Sequence, residues 1–149
     1  MGPSVNNERA QMQDELTERV AAELAIRNTI ARLALLADQG DLDEYIEHFT
    51  EDALWEFPDA ARRGRSDILA GAAERRAGGM TGPGTNTRHV ITTVAVDVDG
   101  TDKANADSYF LFFQKTTTTP TVFNMGWYHD TFIRQGGRWR LATRRITFG

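Results

Sequence analysis

The N-terminal part of the chain has the periodicity of a helix. Between residues 10 and 37, apolar side chains recur three or four positions apart, as at Ile26, Ile30 and Leu33, which is the spacing of one helical face. Gly40 follows this run and is suited to a left-handed helix cap. The pattern therefore predicts a long helix that ends just before this glycine.

Shorter elements follow the first helix. The pattern predicts a second helix over about 42–49, a strand around 54–57 and a third helix over 67–77. Asp41 and Ser66 belong to the residue types that commonly cap helix N-termini, and each stands just before a predicted helix. Residues 78–84 are rich in glycine and predict a loop, which is either a simple connector or a lid over a pocket.

The second half of the chain has the composition of strands. β-Branched and aromatic residues are frequent in four runs, over 87–98, 104–115, 122–134 and 138–148, as expected for a pleated sheet. Asp99-Gly100 and Gly136-Gly137 are turn signals between neighbouring runs. The pattern therefore predicts four strands joined mainly by short connections, which is an antiparallel meander.

These elements predict one α+β domain. Three N-terminal helices pack on a curved, mostly antiparallel β-sheet and cover one of its faces. We expect this domain to span residues 10–149 and a disordered tail to precede it at 1–9. The opposite sheet face is large and only partly polar, so we expect a homodimer or a homotrimer to cover it.

Composition mainly excludes classes of function. The chain has 149 residues, 40% of them hydrophobic and 26% charged, and its net charge is −4. Binding of nucleic acid usually needs a basic surface, so we expect no such partner. Cysteine is absent, which excludes disulfides and thiolate nucleophiles. No apolar run is long enough to cross a bilayer, and the N-terminus lacks the apolar core of a signal peptide, so we expect a cytoplasmic protein without membrane contact.

Two titratable residues stand out in this pattern. Asp38 lies at the end of the first predicted helix and flanks its apolar stripe, where position alone favours a surface acid or a helix-end contact. His89 opens a strand run, and alternation places Val94 and Val96 on the opposite face. A lone strand histidine is more often structural or solvated than catalytic. An Asp–His pair would nevertheless be chemically sensible, because the carboxylate fixes the tautomer of a ring that takes a proton.

Strand alternation also suggests the wall of a cavity. The side chains that share its faces are mostly aromatic, with a few polar groups: Trp55, Phe57, Phe110, Phe112, Asn124, Tyr128 and Arg144. They are either core residues or the lining of a mostly apolar small-molecule site. Tyr128 or Asn124 could donate a hydrogen bond to a developing oxyanion, and Arg144 could stabilise an anion or pair with Asp130. We interpret the other arginine clusters, at 62–65 and 75–76, as solvated surface.

The chain resembles a known family in three places. The first is the stretch from residue 36 to 57, which holds Asp38, the Gly40-Asp41-Leu42 turn and an aromatic strand. The second is the segment Asn86-Thr87-Arg88-His89, and the third is the C-terminal hairpin. Over roughly residues 20–149 the sequence resembles the SnoaL-like branch of the NTF2-like superfamily. That superfamily has a cone-shaped α+β fold and includes cofactor-free dehydratases, dehydrochlorinases, isomerases and polyketide cyclases.

The resemblance implies specific roles. In SnoaL-like dehydratases an aspartate at this helix end orients a histidine that opens the strand after the third helix, and Asp38 and His89 stand at those positions. It implies a cofactor-free lyase or isomerase, namely a dehydratase, double-bond isomerase or cyclase, that removes a carbon-bound proton from an apolar cyclic small molecule. We expect no metal, because the three histidines lack ligand spacing. A non-catalytic binding or assembly scaffold, similar to the small subunit of ring-hydroxylating dioxygenases, is the alternative, and a transport-factor role is a weaker one.

Overall fold

The protein was analysed as a computed structural model that describes residue 2 and residues 4–149. The elements follow in the order α1 (Val5–Gln39), α2 (Leu42–Glu47), β1 (Phe49–Phe57), β2 (Ala60–Arg63), α3 (Arg65–Ala77), β3 (Arg88–Asp99), β4 (Lys103–Gln114), β5 (Thr121–Gln135) and β6 (Arg138–Phe148). The α+β class is confirmed. The helices are very unequal, with 35, 6 and 13 residues, and β2 is a strand that the sequence pattern did not predict.

Helix α1 supplies the largest apolar face against the sheet. Ile26, Ile30 and Leu33 are at most 1% exposed, in agreement with the helical spacing in the sequence. The helix begins at Val5, where the Ser4 side chain accepts a hydrogen bond from the backbone of Asn7. It therefore includes residues 5–9, which were expected to belong to a disordered tail, whereas positions 1 and 3 of that tail lie outside the described residues.

The end of α1 depends on a close approach and not on a left-handed residue. Gly40 has φ −99° and ψ −171°, so the predicted left-handed cap is wrong. Its N–H still donates to the Leu36 carbonyl at 3.0 Å. A Cβ on Gly40 would lie 2.9 Å from the Leu36 Cα, too close for any larger residue. The glycine is needed here because the chain turns tightly against the last helical turn.

The caps of the two shorter helices differ from each other. Asp41 caps α2 as predicted, since its carboxylate accepts a hydrogen bond from the Asp43 N–H at 2.7 Å. Helix α3 instead starts after Gly64, which has φ +84° and forms no side-chain cap. The prediction that Ser66 caps this helix is therefore wrong, because the helix already begins at Arg65.

The six strands form one sheet in the order β2-β1-β6-β5-β4-β3. Strands β3 to β6 pair as an antiparallel meander, whereas β1 runs parallel to β6. Register shifts within β3, β5 and β6 pairings mark β-bulges, and bulges bend a sheet. The inner face packs on α1, and the core closes around Phe49, Phe132 and Leu141, which are fully buried.

One of these bulges changes the faces of β3. The pairing with β4 shifts between Thr92 and Ala95, and Thr93 has φ +52°. Because of the extra residue, Val94 packs against the core and Val96 is 9% exposed. Both valines therefore lie on the same side of the sheet as His89, which corrects the simple alternation predicted from the sequence.

The outer face of the sheet carries exposed apolar residues. Val90, Tyr109, Val122, Met125 and Trp127 are each between 38% and 52% exposed. These side chains therefore form a partly exposed apolar surface among the described residues. Within the same part of the chain, no helix combines the length and the apolar character that a membrane span requires.

Candidate functional site

A cavity opens between α1, α3 and the inner face of the sheet. The space between these elements amounts to about 870 Å³ when its solvent-filled mouth is counted. All nine residues predicted for the site line this cavity or hold its wall: Asp38, Trp55, Phe57, His89, Phe110, Phe112, Asn124, Tyr128 and Arg144. Met80 and Thr81 from the glycine-rich loop lie at its rim. The lining is mostly apolar with a few polar groups, which is the usual construction of a small-molecule site.

Asp38 and His89 are in direct contact. Asp38 Oδ1 lies 2.7 Å from His89 Nδ1, and Asp38 Oδ2 accepts the His89 backbone N–H at 2.8 Å. The Asp38 side chain is 4% exposed and that of His89 is 18% exposed. One carboxylate therefore holds both the ring and the backbone of the same residue, across a sequence separation of 51 positions.

This contact defines the state of the imidazole. An ionised carboxylate only accepts hydrogen bonds, so the proton must be on Nδ1. The other ring nitrogen, Nε2, then keeps a free lone pair, and it has no hydrogen-bond partner among the described residues. The ring packs on Phe112 with centroids 4.7 Å apart. A positioned acceptor nitrogen on an apolar wall is the arrangement that a general base requires.

The position of Asp38 is secured by an arginine from another helix. The last turn of α1 contains no basic residue, although a helix C-terminus favours a nearby cation. Arg76 of α3 fills this role, because its Nη2 donates to the Leu36 carbonyl at 2.8 Å and to the Gly40 carbonyl at 2.7 Å. The same contacts link α3 to the helix end that carries Asp38.

A second charged pair lies in the wall formed by β5 and β6. Arg144 Nε and Nη2 donate to the two Asp130 oxygens, each at 2.9 Å. Both side chains are almost fully buried, at 6% and 0% exposure. Burial raises the pKa of Asp130 above the usual aspartate value, and the Arg144 guanidinium offsets only part of that shift. The pairing that the sequence offered as an alternative for Arg144 is the one that forms, so its charge is balanced.

Two tyrosines present hydroxyl groups near this pair. The Arg144 guanidinium carbon lies 3.8 Å from the centroid of the Tyr128 ring, and that ring stacks on Phe110 with centroids 4.4 Å apart. Burial raises the pKa of Tyr128 and of Tyr45, and nearby arginines only partly offset the shift. Both hydroxyls therefore stay protonated, which suits them to donate hydrogen bonds to an oxygen that gains negative charge.

Asn124 contributes an unusual polar atom to the same wall. Its Oδ1 is buried and has no hydrogen-bond partner among the described residues. An unpaired buried acceptor costs on the order of 1–3 kcal/mol. Such an atom is most easily explained by a ligand or water that donates to it. Asn124 thus places a buried acceptor without a partner among the described residues at the cavity wall, beside Tyr128.

Part of the cavity lining was missed or misread in the sequence. Tyr45 of α2 and Arg75 and Arg76 of α3 all line the cavity, although residues 75–76 were interpreted as solvated surface. Helix phase could have found Arg75, because it lies seven positions after the buried Ile68 and so shares its face. The charge of Arg75 concealed this relation.

The other two histidines lie away from the cavity. His48 caps the end of α2, and burial lowers its pKa. His129 faces the outer side of the sheet, and its Nδ1 lies 3.1 Å from Asp107 Oδ1. Within residues 2 and 4–149, no three His, Asp or Glu side chains are grouped closely enough to hold a metal ion.

We predict that Gly126→Ala disturbs the cavity wall. A Cβ at this position would overlap the Phe110 ring and lie 2.8 Å from the Thr147 carbonyl oxygen. Overpacking of this kind costs typically about 1–3 kcal/mol, and it should displace Phe110 from its stack on Tyr128. Urea denaturation measures the loss in the free energy of unfolding. An unchanged midpoint would mean that the wall relaxes freely. Gly78→Ala separates overpacking from the loss of a glycine, because Gly78 has φ −79° and a Cβ there would meet no neighbour nearer than 3.4 Å.

Several solved structures are similar to this chain in fold. A structure from Mycobacterium tuberculosis, an aspartate-to-asparagine variant of a protein of unknown function, is 29% identical with TM-score 0.78, over 90% of this chain and 75% of that one. An NTF2-like protein with a cystatin-like fold from Novosphingobium aromaticivorans is 26% identical with TM-score 0.77, over 99% and 92%. A protein from Catenulispora acidiphila in complex with S-DNPA is 25% identical with TM-score 0.71, over 85% and 92%.

The sequence comparison agrees with the structural one. No curated protein matches the chain. The sequence profile of the SnoaL-like domain, however, matches residues 18–145, which is most of the chain and runs from within α1 into β6. These similarities confirm the resemblance found in the sequence and the NTF2-like fold. The chain belongs to the SnoaL-like family of the NTF2-like superfamily.

Proposed function

We propose that this protein is a cofactor-free lyase or isomerase, either a dehydratase, a double-bond isomerase or a cyclase. His89 acts as the general base and Asp38 orients it. The observation that carries this proposal is the 2.7 Å contact between the buried Asp38 carboxylate and His89 Nδ1, which leaves Nε2 without a partner at the wall of an apolar cavity. Family membership adds support, because SnoaL-like enzymes work with such a pair.

The first chemical step is proton abstraction from carbon. Nε2 of His89 takes a proton from the carbon next to a carbonyl group, and the electron pair of the broken C–H bond moves to the carbonyl oxygen. The imidazolium that forms is stabilised by the Asp38 carboxylate at 2.7 Å. The Tyr128 hydroxyl, or the Asn124 amide, donates a hydrogen bond to the resulting enolate oxygen. Return of the proton from His89 to a different carbon completes an isomerisation. Loss of a hydroxyl group, which takes the proton from His89 and leaves as water, completes a dehydration. In an aldol cyclisation the enolate carbon instead attacks a second carbonyl group of the substrate, and the new alkoxide takes the proton from His89.

The substrate follows from the lining of the cavity. Phe110, Phe112 and Phe57 supply flat apolar surfaces, which favour an apolar cyclic molecule. A relative at 25% identity was solved with a small molecule bound, in support of a ligand-binding role for the shared fold. Dehydration, isomerisation and aldol cyclisation all begin with the same proton transfer, so one assay can cover the three reactions.

Hydrogen exchange tests this proposal without knowledge of the natural substrate. Cyclic ketones with one to three fused rings are incubated with the protein in D2O, and NMR follows loss of the proton signal next to the carbonyl. We expect exchange faster than in buffer for the ketones that bind. If ketones bind in the cavity and none exchanges faster than in buffer, the proposed catalysis is wrong and a binding role remains.

The outer sheet face favours one further candidate, a role in assembly. Five exposed apolar residues lie there, among them Tyr109 and Trp127, and large apolar patches commonly mark protein contacts. We propose that a homodimer or a homotrimer forms through this face. Light scattering after size-exclusion chromatography measures the mass, and Trp127→Glu should shift it to that of the monomer. A monomeric wild-type protein would contradict the proposal.

A further inference from the structure

Arg75 occupies an uncommon environment. It projects from α3 into the cavity, half-buried, and its guanidinium carbon lies 4.8 Å from the centroid of the Trp55 ring. A guanidinium stacked on an indole keeps its edge free to form hydrogen bonds. The stack therefore holds the cation in place and leaves its donors available.

No carboxylate of the protein pairs with Arg75 among the described residues. Its sequence neighbour Glu74 is engaged by Arg62 at 2.6 Å. The two buried acids at the cavity, Asp38 and Asp130, are already bound to His89 and Arg144. Each buried acid thus has its own partner, and Arg75 adds a positive charge that no side chain balances.

Arg76 does not compensate for this charge, because it is a second cation and its Nη2 is committed to the carbonyl groups at the end of α1. Burial also lowers the pKa of Arg75, which reflects the cost of desolvating an unpaired cation. Tyr45 and Tyr128 are near enough to interact with it electrostatically. A cation that is partly desolvated in this way is normally paired, so the missing anion is expected to come from a ligand.

We propose that Arg75 binds a carboxylate of the ligand, so that the substrate is an apolar cyclic acid and not a neutral molecule. This deepens the proposed function and rests on it for the position of the reacting carbon. The guanidinium edge accommodates the two carboxylate oxygens side by side, and the Tyr45 hydroxyl is a further donor. The ring system of the acid then lies on Phe110 and Phe112, within reach of His89.

Matched acids and amides test this inference by direct binding. Benzoate, 2-naphthoate and anthracene-2-carboxylate are each compared with the corresponding neutral carboxamide, which has almost the same shape. Isothermal titration calorimetry measures the Kd of each. We expect the carboxylate to bind at least tenfold more tightly than its amide for the ring size that fits, since a hydrogen-bonded charged group contributes about tenfold to a hundredfold in affinity.

Variants assign the preference to Arg75. Arg75→Gln should remove the advantage of the carboxylate over the amide, and Arg75→Met should do the same while keeping apolar packing on Trp55. Arg63→Gln is the matched control, because it makes the same change in net charge at an exposed position on β2 outside the cavity. Arg63→Gln should bind like the wild type. Circular dichroism verifies that all variants are folded.

The outcomes separate this inference from the proposed catalysis. Equal affinity for acid and amide, retention of the preference in folded Arg75→Gln, or no binding of any carboxylate overturns the inference. His89→Ala should keep the preference, because the binding contact does not involve the base. If the acid preference depends on Arg75 while no ketone, with or without a carboxylate, undergoes exchange in D2O, the inference stands and the proposed catalysis fails.

Discussion

Replacement of His89 by alanine is expected to lower the rate of enzyme-dependent hydrogen exchange by about 10²- to 10⁴-fold, the usual contribution of a positioned general base. The reason is the loss of Nε2, the ring atom that takes the proton from carbon in the proposed mechanism. Affinity for the ketone should change little, since the aromatic lining remains. NMR in D2O measures the exchange rate, and calorimetry measures the affinity.

A histidine on the opposite sheet face provides the matched control. His129 also contacts an aspartate, with Nδ1 3.1 Å from Asp107 Oδ1, but it lies outside the cavity lining. His129→Ala should leave the exchange rate unchanged. If both histidine variants lose activity to the same extent, the effect is one of folding or assembly and the role given to His89 is wrong. Partial recovery of His89→Ala by added imidazole would support the role directly.

In the proposed mechanism Asp38 acts through the histidine, so its substitution should have a distinct signature. In Asp38→Asn the amide oxygen can still accept the backbone N–H of His89, while the amide nitrogen donates to Nδ1. The ring proton then moves to Nε2, which can no longer accept a proton from carbon. We expect an exchange rate almost as low as in His89→Ala, together with a changed ring tautomer in ¹⁵N NMR. A low rate with the original tautomer would contradict the positioning role.

Much of the candidate site could be predicted, and for two separate reasons. Strand alternation was sufficient for Phe110, Phe112 and Tyr128, because a side-chain period of two is robust where one sheet face is buried. Asp38 and His89 could not be joined in this way, since 51 positions separate them and helix phase says little about a partner on a strand. Family resemblance supplied that link, and the 2.7 Å contact confirms that the two residues meet.

The errors have physical causes as well. The bulge at Thr93 reverses the faces of β3, and an extra residue of this kind leaves no clear mark in a run of β-branched residues. Arg75 was misread because its charge was taken as evidence of exposure, although a long side chain can pack along apolar surface and on an aromatic ring. The third error concerns the end of α1. Gly40 was expected to adopt a positive φ, but it is needed there because no Cβ fits against Leu36.

The buried ion pair is expected to have the largest effect on stability. Asp130→Asn should lower the free energy of unfolding by about 3–5 kcal/mol, because it leaves the Arg144 charge buried without its counter-ion. We expect a loss near the upper end of this range, because the Asp130 carboxylate is fully buried and accepts two hydrogen bonds of 2.9 Å from Arg144. Urea denaturation followed by circular dichroism measures the change.

The double variant Asp130→Leu/Arg144→Met separates the cost of an unpaired charge from the net value of the pair. It removes both charges and fills a similar volume. It should therefore be less destabilised than Asp130→Asn alone, because the attraction within a buried pair offsets little more than the cost of desolvating its two charges.

Arg134→Gln is the surface control. The contact of Arg134 with Asp102 is 3.4 Å long and solvent-exposed, and its loss should cost less than about 1 kcal/mol. If Asp130→Asn were no more destabilising than this control, water would have to reach the pair, and the cavity wall formed by β5 and β6 would be open. If the double variant were the least stable of the three, the pair would hold the wall in shape by its geometry, and the stack of Tyr128 on Phe110 should be lost with it.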